Sequence, residues 1–115
     1  MTHTDLLAAI HASLDEEPAD WQARRELADL LEDAGDLTGA ACQRWMVAEG
    51  KHPYRGPVGR EWWWPGCHSN CEGANRLPEL VWVELPDWSE RGCRRWLEAA
   101  LAVALTRAGL IGGAA

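Results

Sequence analysis

Phenylalanine is absent from the 115 residues, tyrosine occurs once and methionine twice. Eight tryptophans are left as the large apolar rings, so a core must be built on indoles, and each buried indole N–H needs an acceptor. Long apolar runs are also missing. The longest uncharged apolar stretch, Ala99 to Thr106, falls far short of the roughly 20 residues a membrane helix needs. No basic segment followed by an apolar run opens the sequence, so no signal peptide is expected and the cytoplasm is the expected location. In that compartment four cysteines are expected as free thiols or metal ligands rather than disulfides.

Basic charge is scarce. Eleven Lys and Arg stand against eighteen Asp and Glu, a net of −7. The imbalance sits in residues 1–36, where ten acids face only Arg24 and Arg25. Such a surface repels phosphate, which argues against nucleic acid or an anionic membrane as partner. It is expected as a solvated face or as a docking face for a basic protein. H-E-x-x-H, a P-loop and G-x-S-x-G are all absent, and no carboxylate pair stands out from the acidic background. The motif-borne enzyme classes are thereby excluded, and a non-catalytic chain is expected.

What is present reads as helix. Thr4 is a candidate N-cap, with Leu6, Leu7, Ile10 and Leu14 following at helical spacing until Glu17–Pro18 breaks the pattern. Asp20 caps a second helix whose apolar face runs through Trp21, Arg24, Leu27, Ala28, Leu30, Leu31 and Ala34. Gly35 stops it, and a third helix runs from Leu37 to Glu49 before Gly50. The tight Gly35–Asp36 turn predicts an αα-hairpin. Residues 50–79 are rich in Pro and Gly, an ordered-looking irregular stretch because its tryptophans would not remain in water. Residues 77–85, LPELVWVEL, fit a short helix better, but also fit a strand paired with 61–64. Asp87 with Glu90 resembles a capping box for a last helix. Its continuous face includes Cys93, Trp96, Leu97, Leu101 and Leu105, and Gly109 ends it.

The fold expected is therefore mainly α. The αα-hairpin and the C-terminal helix form the core, and the Trp/Pro/Gly-rich segment packs over it. Residues 1–109 make one domain, with helices in 4–49, the irregular segment in 50–86 and the last helix in 87–108. Residues 110–115 are expected as a mobile tail.

The densest cluster of reactive side chains is WWWPGCHSNC, residues 62–71. Trp62, Trp63 and Trp64 cannot all face one side of a strand or helix. They are either core filling for a Phe-free chain or a recognition surface on which Arg55, Arg60 and Arg76 stack. Beyond Pro65–Gly66, Cys67, His68 and Cys71 suit half a zinc site, which Cys42, Cys93 or His52 must complete. Strong zinc signals carry two short-spaced pairs, and only one is here. Cys42 and Cys93 also read simply as buried thiols on apolar faces. The reading is a protein-interaction or scaffolding module with no cofactor, its partner another protein. The alternative is a small structural zinc domain.

Residues 6–45 resemble a bacterial module, the repeat-companion domain. The likeness rests on LLAAIHASL, the break DEEPAD, Arg24, and Ala28, Asp29, Leu31, Glu32, Gly35 and Asp36. Leu30 stands where that family usually has Trp, and Arg44 is one position out of register with its last Arg. The resemblance implies a helical module often found near other repeats, with no assigned activity. It further implies a structural pairing of Arg24 with Asp29.

Overall fold

A computed structural model describes residues 2–55, 62–64, 77–78, 81 and 94–112, with the side chain of Trp63 outside that description. The protein is mainly α-helical, as expected. Helix α1 spans His3–Glu16, α2 Trp21–Asp33, α3 Leu37–Glu49 and α4 Arg94–Arg107. Strands β1 (Tyr54–Arg55) and β2 (Trp62–Trp63) form a two-stranded antiparallel ribbon, with Tyr54 opposite Trp63 and Arg55 opposite Trp62.

The helix ends follow from local chemistry. Helix α1 is capped by Thr2, not by Thr4, which lies inside the helix. Asp5 N donates to Thr2 Oγ1 and Thr2 N donates to Asp5 Oδ2, each at 3.1 Å. Thr2 wins because the residue three positions on is an acid that returns the bond, whereas Thr4 would face Leu7. Asp20 caps α2 as predicted, its Oδ1 accepting from Ala23 N at 3.0 Å.

The α2–α3 turn is a Schellman motif. Gly35 takes φ +89°, Gly35 N donates to Glu32 O, and Asp36 N donates to Leu31 O. Asp36 also opens α3, its Oδ1 accepting from Gly39 N at 2.9 Å. One residue thus closes one helix and starts the next, which makes the hairpin tight. Gly109, at φ +73°, ends α4 in the same way, with Leu110 N donating to Leu105 O. That turn sends Ile111 back onto the core at 6% exposure, so the expected mobile tail does not begin at 110. A large aliphatic side chain within reach of a hydrophobic cluster gains more from burial than the short turn loses in entropy.

Helix α2 packs on both α1 and α3, and α4 packs on α3. The larger core joins Cys42 and Met46 of α3 to Leu97, Leu101 and Leu105 of α4. Trp62, Trp64, Leu77 and Val81 close it from the irregular segment, as the sequence led one to expect. Val81 is helical, its N–H bonded to Pro78 O at 2.9 Å. A smaller cluster of Leu14, Ala23 and Leu27 joins α1 to α2. Trp96 departs from its expected place on the buried face of α4 and stays 39% exposed. It lies next to the Leu97–Leu101–Leu105 row rather than on it, and the helix rotation is set by those leucines. The capping residues expected at Asp87 and Glu90 lie outside the described residues.

Candidate functional site

Helix burial brings four polar side chains into the interior: Arg24 and Arg94 at 0% exposure, Gln43 and Glu98 at 5%. Each sits one helical step from apolar neighbours on its own element, so packing carries it inward. Glu98 is the hub. Its Oε2 accepts from Arg24 Nη1 at 3.0 Å, and its Oε1 accepts from Arg94 Nη1 at 2.9 Å and from Gln43 Nε2 at 2.7 Å. Gln43 Oε1 accepts from Arg24 Nη1 at 2.9 Å, so both ends of the amide are assigned. Arg24 Nε donates to Pro18 O at 3.0 Å, and Arg94 Nε to Asp15 Oδ1 at 2.9 Å. Two guanidinium groups are thus balanced by two carboxylates, which is what permits charge in an interior. Burial pulls the Arg24 pKa down and Glu98 pushes it back up. Arg24 Nη2 is buried without a hydrogen-bond partner among the described residues.

Arg94 also reaches α1. Its Nη2 donates to His11 Nδ1 at 2.7 Å and to the His11 carbonyl at 3.2 Å. A guanidinium has only donors, so Nδ1 must be the bare nitrogen and the imidazole proton sits on Nε2. Burial, then the charges of Arg95 and Arg94, lower the His11 pKa to about 4. The ring is neutral at neutral pH.

Over this network lies a cleft of about 160 Å³, lined by residues of α1, α3 and α4 with Leu31 and Asp36. His11, Gln43, Arg95, Glu98 and Cys42 supply its chemistry. Cys42 is no nucleophile there. Burial pushes its thiol well above the ordinary range, with Glu98 adding to the rise, and Sγ donates to Glu98 O at 3.7 Å. The groups present suit binding: a fixed imidazole N–H and a guanidinium at the rim.

The predicted site residues are dispersed. Cys67, His68, Cys71 and Cys93 lie outside the described residues, as do Arg60 and Arg76. Of the other two zinc candidates, Cys42 is buried between α3 and α4. His52 packs edge-on against Trp21, ring centroids 5.6 Å apart, with Nδ1 donating to Pro53 O at 2.7 Å. Among the described residues no three His, Cys, Asp or Glu side chains converge to hold a metal. Trp62 and Trp64 are buried, so the proposed contact surface there is corrected to core. In a chain without Phe, indoles are the large rings at hand to fill that space. Arg55 does stack as expected, its guanidinium carbon 5.4 Å from the centre of the Trp62 ring.

The implied Arg24–Asp29 pair is not formed. Asp29 and Glu32 instead hold Arg44 across the hairpin, at 3.0 and 2.8 Å. The buried network was missed at the sequence level, though a signal existed: Arg24 and Glu98 each interrupt an apolar face, with opposite charge. No family model, no curated protein and no solved structure matches this chain. Among the described residues no helix is long and apolar enough to cross a membrane.

Proposed function

We propose that this chain is a non-catalytic protein-interaction module whose contact face is the exposed side of α4. One observation carries the reading. Trp96, Val103 and Leu110 are 39%, 49% and 41% exposed, and they recur every seven residues. Seven residues are two helical turns, so Trp96 and Val103 align in one stripe along α4, and Leu110 stands exposed just past the Gly109 turn. Apolar side chains aligned in this way invite a partner helix, and Trp is the residue type most often found at the centre of binding energy. The contact face thus moves from Trp62 and Trp64, which are buried, to α4.

The acids of α1 and α2 support the choice of a protein partner. Asp5, Glu16, Glu26, Asp29, Glu32 and Asp33 are all exposed, which disfavours nucleic acid and anionic lipid. The likeness of residues 6–45 to the repeat-companion domain fits this reading, since that family implies a helical module beside other repeats.

The test is site-directed photo-crosslinking in the native host. A photo-reactive residue at Val103 is expected to capture a discrete protein, and the same residue at Asp33 is expected to capture none. Equal capture at both positions, or none at Val103, overturns the reading.

A further inference from the structure

Helix α4 carries a second row of side chains beside the apolar stripe. Arg95, Ala99 and Ala102 line the cleft, while Trp96 and Val103 lie one step round the helix. Arg95 and Ala99 are exposed, so cleft and stripe form one continuous surface. That surface has a definite charge. The exposed charged residues of α4 are Arg95 and Arg107, and its one acid, Glu98, is buried and engaged. At the cleft, this apolar strip therefore carries the positive charge of Arg95 on a chain of net −7. Charge complementarity selects an acidic amphipathic helix as its occupant.

We infer, resting on the reading of α4 as the contact face, that the cleft is a carboxylate subsite which takes an Asp or Glu side chain of the partner's helix. Two donors meet that requirement. Arg95 makes no hydrogen bond or ion pair among the described residues and lies on the cleft wall. His11 lines the same cleft and offers Nε2–H, because Arg94 occupies Nδ1. A guanidinium and a neutral imidazole N–H together match the oxygens of a carboxylate.

Of the two acids on the wall, Glu98 is paired with guanidinium groups and Asp36 keeps its charge while capping α3. Both Glu98 oxygens receive donors from Arg24, Arg94 and Gln43, and Asp36 Oδ1 caps α3. The Ala99 and Ala102 side chains leave the floor shallow, and a cleft of about 160 Å³ has room for one carboxylate side chain, not for a large cofactor.

The experiment is an NMR titration of the full chain with acetate, against chloride at constant ionic strength. Side-chain signals of His11 and Arg95 are expected to shift and saturate with acetate, and to stay still with chloride. Arg95→Gln is expected to weaken acetate binding about tenfold or more, the usual worth of one charge-assisted hydrogen bond. Arg107→Gln, further along the strip, is expected to leave it within about twofold, since a separated charge is screened. Arg95 is exposed, so the variant should keep the dispersed spectrum of the parent; that spectrum is the control for folding. Shifts that rise linearly without saturation, or saturate identically in Arg95→Gln, overturn the subsite. Peptide mapping of the Val103 crosslink reads the source of the carboxylate: an Asp- or Glu-bearing helical segment supports it. If acetate saturates while Val103 captures nothing, the subsite stands as chemistry, but a partner-borne carboxylate and the α4 contact face are both overturned.

Discussion

Arg24 Nη1 and Glu98 Oε2 meet at 3.0 Å, although the two residues are 74 positions apart. The contact ties α2 to α4 through a bridge in which neither side chain exceeds 5% exposure. It is also the hub through which Gln43 and Arg94 are satisfied. Removing Glu98 takes from buried Arg24 its carboxylate partner and leaves Arg94 with Asp15 alone. Glu98→Ala is expected to lower stability by about 3–5 kcal/mol, the usual cost of orphaning a buried charge. The double variant Arg24→Met/Glu98→Leu is expected to lose less than the sum of its single changes. Urea unfolding of the wild type, Glu98→Ala, Arg24→Met, Glu98→Leu and the double variant checks both statements, and additivity would refute the coupling.

Trp64 and Trp96 make an opposed pair. Trp64 is fully buried, and Trp64→Ala is expected to cost about 3–5 kcal/mol through lost transfer energy and the cavity left behind. Trp96 is 39% exposed on the rim of the α4 stripe, and Trp96→Ala is expected to cost about 1 kcal/mol or less. Thermal unfolding compares them directly. If Trp96→Ala proves the more damaging, the side of α4 described as open is in fact packed.

His11 makes stability depend on pH in a stated direction. Its folded pKa is about 4 against an unfolded value of 6.5. Between these values the unfolded chain binds more protons, so the stabilisation is complete above pH 6.5 and is lost as pH falls towards 4. Wild-type stability is expected to decline across that window with a steeper slope than His11→Gln. Denaturation midpoints at pH 7.5, 6 and 5 provide the measurement, and parallel slopes would rule out His11 as the cause.

Two glycines of the hairpin differ in why they are glycine. Gly35 has open space around its Cα but φ +89°, so Gly35→Ala is expected to cost about 1 kcal/mol and Gly35→Asn less. Gly39 is helical, and an added Cβ there would run into the Asp36 carboxylate that caps α3. Gly39→Ala gains about 1 kcal/mol of helix propensity and loses a cap of similar worth, so a net change near zero is expected. Helix content and unfolding midpoint of the two alanine variants separate these cases.

The local punctuation of the chain is legible in its residues. Asp20, Gly35, Asp36, Gly50 and Gly109 end or begin helices where their spacing indicated, because a cap is a bargain between groups within about four residues. Even the misplaced first cap was legible, since Thr2 and not Thr4 has an acid three positions later. That the chain would be mainly helical followed from the same periodicity, whereas the lack of phenylalanine left core filling as only one of two readings of Trp62 and Trp64.

Which charges meet and which tryptophans are hidden depends on how the helices pack. Arg24 chose Glu98 over Asp29 because rotation of α2 against α3 and α4 points its guanidinium inward, and no spacing within α2 encodes that rotation. The cleft of His11 and Arg95 exists for the same reason: its walls come from α1, α3 and α4, and the chain brings them together only when the Leu97–Leu101–Leu105 row is buried. That burial leaves Trp96 outside and draws Trp64 in. Indoles that look equivalent in sequence thus take opposite places, one inside the core and one exposed on α4.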